Sequence, residues 1–288
     1  MQSMAGTLYL VATPIGNLED ITLRALRVLR EADLIACEDT RTSRVLLKAY
    51  EIDAALTSYH KFNEQEKSEE LIEKLLRGKS IALITDAGMP AISDPGEILV
   101  RKCRENGIPV TAVPGASACV TALALSGADT RRFVCEGFLP QESKERRETL
   151  SRIQAEERTV ILYEAPHRLE RTLRLLEESL GSTRGITLCR ELTKKFEETE
   201  RTTIGNALLK YQGDVQPRGE YVLVIDGKSK EEAAEERSAA WESMDLSGHV
   251  SYYEERGLSR KEAMKAVSKD RGISRRDVYQ ELLKEKQT

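Results

Sequence analysis

The sequence lacks any apolar run long enough to cross a bilayer, and its N-terminus lacks the basic stretch and apolar core of a secretion signal. Its five cysteines are odd in number and widely spaced, and no two form a C-x-x-C pair. This spacing predicts buried thiols rather than a disulfide framework or a zinc site. Together these absences predict a cytoplasmic protein that has no membrane partner.

Metal-binding patterns are also missing. The three histidines, His60, His167 and His249, lie far apart, and none has a carboxylate at a spacing typical of metal ligation. We therefore expect no metal site in this chain.

Common nucleotide-binding loops are missing as well. The turn Thr13–Asn17 follows an apolar strand and precedes a helix, the place where α/β proteins bind ligands. It contains no G-x-G-x-x-G, and no lysine follows its single glycine. The turn therefore predicts a small-ligand site that is neither a dinucleotide loop nor a Walker phosphate loop.

The charge balance gives no simple indication of a polyanionic partner. Lysine and arginine number 44 against 48 acidic residues in a chain of 288, and the net charge is −4. Local patches rather than totals decide nucleic-acid binding, and the basic residues are clustered. Each cluster alone is best explained as a solvated helix face, whereas the set is compatible with a polyanion: Arg41/Arg44/Lys48, Arg131/Arg132, Lys144/Arg146/Arg147, Arg190/Lys194/Lys195 and Arg271/Arg275/Arg276.

Strand-like and helix-like segments alternate along the first 125 residues, which predicts a mainly parallel sheet with helices on both faces. One helix is expected to begin at Asp94-Pro95-Gly96, with Asp94 as its N-cap and Pro95 in its first turn. From Phe133 onward the strand-like runs, among them 196–203, predict a second α/β domain with a mixed sheet.

The C-terminal part of the chain has a helical pattern. A charged linker helix is expected over 228–240, followed by a helical unit over 246–283. Ser259-x-x-Glu262 and Ser274-x-x-Asp277 are capping-box patterns on either side of a short turn with glycine. This layout is typical of a helix-turn-helix, and a purely structural helical hairpin explains it at least as well. We place the domain boundaries at 1–122, 123–228 and 229–288.

Three glycine- and proline-containing loops follow predicted strands, at Thr13–Asn17, Asp86–Pro90 and Pro114–Ser117. The carboxyl ends of parallel strands meet at one edge of a sheet, so these loops are expected to converge. Their small residues allow a ligand to approach the backbone closely. One such loop alone is only a turn, but three together predict a ligand pocket.

These loops and several other strings resemble one family. The chain is similar to the ribosomal RNA small-subunit methyltransferase I family, within the tetrapyrrole-methylase-like fold, over roughly its first four-fifths. The matching strings are Ala12–Ile21, Glu38–Arg41, His60-x-x-Asn63-Glu64, Asp86–Gly96, Pro114-Gly115-x-Ser117, Gly137–Pro140, Tyr163-Glu164-x-x-His167-Arg168 and Arg190–Lys194.

The resemblance implies a fold and a reaction. It implies two α/β domains, a homodimer, and S-adenosylmethionine in the cleft between the domains. The implied reaction is methylation of the 2′-hydroxyl of a decoding-centre cytidine in 16S rRNA, on the free RNA or the small ribosomal subunit. Tetrapyrrole methylases proper carry a G-x-G-P-G-D type first loop, and Thr13–Asn17 stands in its place. This departure separates the chain from the porphyrin-binding branch.

The resemblance also implies a set of cofactor-binding residues. They fall into a group after the predicted fourth strand, a group before the next helix, and a group from the second domain that closes over the adenine. The residues are Asp86, Ala87, Gly88 and Ile92; Ala116, Ser117 and Ala118; and Tyr163, Glu164 and Pro166.

The chemistry needs a group that activates the nucleophile, because a ribose 2′-hydroxyl is a poor nucleophile at neutral pH. Polar, mostly loop-borne residues after the second and third strands provide the preferred catalytic set: Glu38, Asp39, Arg41, His60, Asn63 and Glu64. The alternative interpretation makes Asp39 and Arg41 a local ion pair and lets Glu64 open a helix through its favourable dipole interaction.

Binding of RNA phosphates requires positive charge but little exact geometry. Lys61, Arg168, Arg190 and Lys194 are the residues expected to serve here, and Asn17 is expected to face the incoming RNA. Two other functions stay open from the sequence: methylation of a tetrapyrrole or other small molecule, and RNA binding without catalysis.

Overall fold

The computed structural model describes residues 5–213, 215–229, 232, 241 and 244–285. They form two compact units, residues 1–226 and residues 227–288, each described by itself below. No helix in the described part of the chain is both long and apolar enough to cross a membrane.

The first unit begins with a five-stranded parallel sheet in the order β3-β2-β4-β1-β5. Its central strand β4 is buried at all four positions, so both sheet faces must be covered. One core joins the sheet to α1 and α2, and another joins it to α3 and α4, as the alternating pattern predicts. The bounds are β1 Leu8–Val11, α1 Leu23–Glu31, β2 Leu34–Cys37, α2 Thr40–Ala49, β3 Leu56–Ser58, α3 Glu64–Leu76, β4 Ile81–Ile84, α4 Glu97–Glu105 and β5 Val110–Val113.

The second sheet of this unit is mixed, in the order β6-β7-β10-β8-β9. Strands β6 and β7 run parallel, and the other neighbours pair antiparallel. Helices α6, α7 and α8 accompany it, and leucines of α7 lie at the centre of its core. The bounds are α5 Ala118–Ser126, β6 Phe133–Phe138, α6 Ser143–Ala155, β7 Thr159–Glu164, α7 Leu169–Leu180, β8 Gly185–Arg190, β9 Glu198–Thr203, α8 Ile204–Tyr211 and β10 Tyr221–Ile225.

Helix α5 connects the two sheets. It follows the last strand of the first sheet, yet its buried residues Cys119, Ala122 and Leu123 pack against strands of the second sheet. Ile15, from the turn after β1, packs against the same core. Helix α5 and Ile15 therefore join the two α/β parts through one continuous apolar core.

The described stretch 244–285 of the second unit includes the helices α9 Leu246–Glu254, α10 Arg260–Asp270 and α11 Arg275–Glu285. Their core includes Val250, Val267 and Val278. Both predicted capping boxes form: the Ser259 and Ser274 side chains each exchange hydrogen bonds with the residue three positions later. The predicted linker helix over 228–240 lies almost entirely outside the described residues.

Two predicted element boundaries were wrong. The helix expected from Asp94 begins at Glu97, and Gly96 rather than Asp94 occupies the N-cap. Gly96 has φ +147°, and a Cβ there would lie 2.9 Å from the Ala91 Cβ, so the close turn requires glycine. The strand expected over 196–203 begins only at Glu198, which leaves Phe196 in a loop.

Candidate active site

Two of the three predicted loops are joined directly by backbone hydrogen bonds. The Thr13 N–H donates to the Gly88 carbonyl at 2.9 Å, and the Gly88 N–H donates to the Thr13 carbonyl at 3.2 Å. The buried Thr13 hydroxyl donates to the Thr85 carbonyl at 3.1 Å. The third loop packs closely on the end of β1, because a Cβ on Gly115 would lie 2.9 Å from the Ala12 Cβ. The loops converge as strand order predicts.

A cavity of about 460 Å³ lies between these loops and the second sheet. Its size is within the range of small-molecule and cofactor sites. The lining residues come from both α/β parts: Ile15, Glu38, Asp86, Ala87, Gly88, Met89, Ile92, Ser93, Asp94, Ser117, Ala118, Phe138, Tyr163, Glu164, Ala165, Pro166, His167, Cys189, Leu192, Lys194, Glu220, Tyr221 and Val222.

The residues predicted to bind the cofactor lie around this cavity. Nine of them line it, the exception being Ala116. The Ala116 carbonyl oxygen nevertheless lies close by, 3.7 Å from where a Cβ on Gly88 would stand. Glu164 is buried, and its carboxylate accepts hydrogen bonds from the Ala165 N–H at 2.9 Å and the Thr172 hydroxyl at 2.5 Å. That carboxylate therefore holds the strand end in place.

Of the residues predicted as catalytic, Glu38 lines the cavity. Burial raises the pKa of its carboxyl group, the negative charge of Asp86 raises it further, and nearby His60 lowers it. His60 lies in the loop after β3, which pairs parallel with β2, so it leaves the sheet at the same edge as Glu38. The Nδ1 atom of His60 is buried and has no hydrogen-bond partner among the described residues.

The other predicted catalytic residues have local contacts. Asp39 caps α2, accepting from the Arg41 N–H at 2.7 Å, and its carboxylate pairs with the Arg41 guanidinium at 2.8 Å. The Asn63 side chain accepts from the His60 N–H at 2.8 Å and donates to the Ser58 carbonyl. Glu64 is the first residue of α3. Asp39 and Arg41 thus form a local ion pair and Glu64 begins a helix, which is the alternative interpretation of these three residues given above.

Of the residues predicted to bind RNA, only Lys194 lines the cavity, and the others lie in separate elements. Asn17 caps a short 3-10 helix, Leu18–Asp20, by accepting from the Glu19 N–H. Lys61 is exposed. Arg168 donates to the Leu139 carbonyl at 2.8 Å, and Arg190 pairs with Glu198 at 2.9 Å.

Lys194 lies at the cavity, where its ammonium group pairs with Glu191 at 2.8 Å and Glu220 at 2.9 Å. The first loop packs on its stem: a Cβ on Gly16 would lie 2.5 Å from the Lys194 Cγ. Any phosphate bound by Lys194 must therefore compete with two carboxylates.

Asp94 is one of the cavity-lining residues that the sequence did not predict, because its context indicated only a helix cap. Its carboxyl group faces the cavity, where burial, followed by the charges of Glu38 and Asp86, raises its pKa to about 6. The Asp-Pro-Gly string resembles a helix start, and that resemblance concealed its position. Burial is also the main cause of a raised pKa at Asp86. Three carboxyl groups that line the cavity, those of Glu38, Asp86 and Asp94, therefore have pKa values raised by burial, and we call them the acidic rim.

Backbone strain is concentrated at the cavity walls. Ala91 and Ser93 on one wall have φ of +66° and +63°, and Glu191 and Thr193 beside the other have +50° and +66°. Non-glycine residues adopt such angles only where their surroundings enforce them, and they cluster at ligand sites. Within the described ranges, no group of three side chains is arranged to hold a metal ion.

Comparison with known proteins gives the family of this chain. The family model for Tetrapyrrole (Corrin/Porphyrin) Methylases matches residues 7–208. A Ribosomal RNA small subunit methyltransferase I from Halalkalibacterium halodurans is 47% identical over 274 residues, covering 95% of this chain and 93% of that protein. The Bacillus subtilis protein of the same name is 44% identical, covering 96% and 94%.

The chain belongs to the ribosomal RNA small subunit methyltransferase I family. The resemblance drawn from the sequence motifs is thereby confirmed, and so is the predicted fold class. The Escherichia coli O157:H7 member is 49% identical over 228 residues, covering 79% of this chain and 80% of its own.

Solved structures share the fold at lower sequence identity. A uroporphyrin-III C-methyltransferase from Thermus thermophilus, complexed with S-adenosyl homocysteine, aligns with TM-score 0.55 and 18% identity, covering 77% of this chain and 97% of that one. A diphthine synthase aligns with TM-score 0.57 and 15% identity, covering 76% and 89%. At these identities the likeness concerns the fold alone.

Proposed function

We propose that this chain transfers a methyl group from S-adenosylmethionine to the ribose 2′-hydroxyl of a decoding-centre cytidine in 16S rRNA. The observation that carries the proposal is the cleft at the sheet edge, in a chain 47% identical over 95% of its length to an rRNA methyltransferase. Methylation of small-subunit rRNA follows from membership of the family. The choice of a cytidine as the target nucleotide, and of its 2′-oxygen as the methylated atom, is our proposal. We also propose a cytoplasmic homodimer that acts on 16S rRNA or the small ribosomal subunit.

The cleft fits a cationic, partly aromatic cofactor. S-adenosylmethionine, when bound, supplies a methyl group activated on a positively charged sulfonium. Apolar groups of Ile92, Tyr163 and Pro166 would contact its adenine and ribose, and the backbone around Gly88 and Ser117 permits close approach. The acidic rim defined above provides negative charge that favours a cation over a neutral ligand.

Glu38 is the proposed proton acceptor. It lines the cleft, follows β2 at the same sheet edge as Asp86, and its burial-raised pKa makes its carboxylate a stronger base than an exposed glutamate. Accepting the 2′-hydroxyl proton gives a nucleophilic oxygen, and positioning of the two reactants contributes much of the rate. His60, which acts on Glu38 electrostatically, is proposed to adjust this basicity.

Labelled cofactor tests the proposal. The protein is incubated with methyl-labelled S-adenosylmethionine and small ribosomal subunits that lack the modification, and the RNA is then digested to nucleosides. The expected result is one label per subunit, on the ribose of one cytidine. Label on a base, or on a porphyrinoid offered in parallel, would contradict the proposed substrate.

A further inference from the structure

The phenylalanines of this chain are unusually exposed. There are four, and their exposed fractions are 94% for Phe62, 66% for Phe196, 52% for Phe138 and 39% for Phe133. Among the large apolar side chains in the described part of the chain, the Phe62 ring is the most exposed. Phe138 lines the cavity beside Tyr163, whereas Phe62 and Phe196 are outside it.

Phe62 lies in a loop at the sheet edge that carries the cleft loops. It belongs to the loop between β3 and α3, and β3 is the edge strand next to β2, whose following residue is Glu38. Strands β2 and β3 pair parallel, with Cys37 opposite Ser58, so Glu38 and the loop that carries Phe62 leave the sheet at the same edge. The His60 and Phe62 rings of this loop make an edge contact with centroids 6.1 Å apart.

Phe196 lies in the loop between β8 and β9. It follows Lys194 by two residues, and Lys194 both lines the cavity and packs against Gly16 in the loop after β1. In the sheet order, β3 and β1 are three strand spacings apart, or about 14 Å across the edge. The loop that carries Phe62 is therefore on the β3 side of this sheet edge, and the loop that carries Phe196 follows Lys194, which packs on the turn after β1.

We propose that Phe62 and Phe196 are stacking platforms for unpaired RNA bases on either side of the methylated nucleotide. The inference rests on the proposed function and names the part of the substrate that these rings recognise. Proteins bind single-stranded RNA through exposed aromatic rings that stack on bases, combined with cationic groups that contact the phosphates. Lys61 and Lys195 supply those cationic groups, one beside each ring.

The charge pattern favours RNA over a second copy of the chain as the occupant. Lys195 places its ammonium group 5.6 Å from the centre of the Phe196 ring, and Lys61 and Lys195 are both exposed. In the stretches that the structure describes, neither lysine pairs with a carboxylate. An interface between identical copies would have to bury or neutralise these charges, whereas an RNA backbone neutralises them directly.

Binding measurements on single variants test the proposal. The probe is unmodified 16S rRNA in assembled small subunits, at fixed salt, and the variants are Phe62→Ala, Phe196→Ala and Phe62→Trp. Leu76→Ala is the matched control, because Leu76 is 46% exposed and is the last residue of α3, at the opposite end of that helix from the Phe62 loop. Each alanine variant is expected to bind the RNA about 5- to 100-fold more weakly, while the tryptophan variant and the control bind like the parent chain.

Further readouts separate stacking from other roles. Affinity for S-adenosylmethionine and the sedimentation coefficient are expected to stay unchanged in every variant. Lys61→Ala is expected to reduce the salt dependence of RNA binding by about 0.7 in the log–log slope, and Phe62→Ala is expected to leave that slope unchanged.

Two results would overturn the proposal. One is parental RNA affinity in both alanine variants; the other is a change of oligomeric state, which makes the rings a contact between copies. Failure of the proposed function is distinguishable, because then the parent chain itself transfers no methyl group to the subunit.

Discussion

The backbones of Thr13 and Gly88 bond to each other in both directions, at 2.9 and 3.2 Å, and tie the first loop of the cleft to the second. The Thr13 side chain adds a buried bond to the Thr85 carbonyl. The turn after β1, with no phosphate-binding motif of its own, therefore serves as a brace for the loop that carries Asp86.

Removing the Thr13 hydroxyl tests this brace. Thr13→Val keeps the shape but leaves the buried Thr85 carbonyl without this donor, which costs about 1–3 kcal/mol of unfolding free energy. We expect weaker binding of S-adenosylmethionine as well, measured by calorimetry beside a denaturant melt. Thr130→Val, at an exposed position, is the control and should leave both quantities unchanged. Parental stability of Thr13→Val would show that the bond contributes little.

Glu38→Gln tests the proton acceptor. Loss of the carboxylate removes the proposed base while keeping size and polarity, so kcat for methyl transfer should fall by about 100- to 10,000-fold. The KM for S-adenosylmethionine should change far less. Glu31→Gln makes the same chemical change in an exposed pair with Arg27 and should keep parental activity. A kcat within a factor of three of the parent chain would assign the base elsewhere.

Asp94 predicts a pH dependence of cofactor binding. A cationic ligand favours the ionised carboxylate, and with a pKa of about 6 the free group is mostly protonated at pH 5. Affinity for S-adenosylmethionine should therefore rise about tenfold from pH 5 to 7.5 and level off above pH 7. S-adenosylhomocysteine, which lacks the sulfonium charge, should show a flatter profile.

Substitution isolates this contribution. Asp94→Asn should flatten the S-adenosylmethionine profile, while Asp53→Asn, at an exposed position, should preserve it. Identical pH profiles for the two ligands in the parent chain would mean that Asp94 does not respond to the sulfonium.

His249 predicts acid sensitivity of the C-terminal unit. It is fully buried, its ring stacks on Trp241 with centroids 3.9 Å apart, and its Nδ1 accepts from Arg271. Burial, followed by the charge of Arg271, lowers its pKa below the usual 6.5. Below pH 6.5 His249 therefore binds a proton in the unfolded chain but not in the folded unit. The free energy of unfolding is retained above pH 6.5 and falls as the pH drops below it.

The single tryptophan, Trp241, reports on this unit. Its fluorescence in a denaturant titration should give a lower midpoint at pH 5.5 than at pH 7.5. His249→Gln should lose most of that difference, whereas an equal difference in both chains would assign the effect to other groups.

Sequence patterns predicted the cleft well because it depends on topology. Loops after parallel strands must meet at one edge, so Gly88 and Ser117 were placed correctly from their positions in the pattern. Side-chain partners were harder to predict, since a local contact decides them. Asp39 follows β2 directly after Glu38, yet it turns to cap α2 and pair with Arg41 while Glu38 lines the cavity.

Asp94 is the opposite case, because the sequence predicted a local role for it and the structure places it at the cavity. A proline and glycine after an aspartate are typical of a helix start, and the pattern carries no sign that the loop bends at Ala91 and Ser93 to bring this carboxylate to the cavity. Exposure is equally hidden. The strand-like run over 196–203 predicts a strand that includes Phe196, whereas the structure begins the strand at Glu198 and leaves the Phe196 ring exposed in the preceding loop.

The most direct test of the proposed reaction is mass mapping of 16S rRNA from a strain that lacks this gene. Complementation with the parent chain should restore a single ribose methyl group on one cytidine, and Glu38→Gln should fail to restore it at equal protein level. A methyl group that persists in the deletion strain, or that returns on a base rather than a ribose, would contradict the proposed reaction.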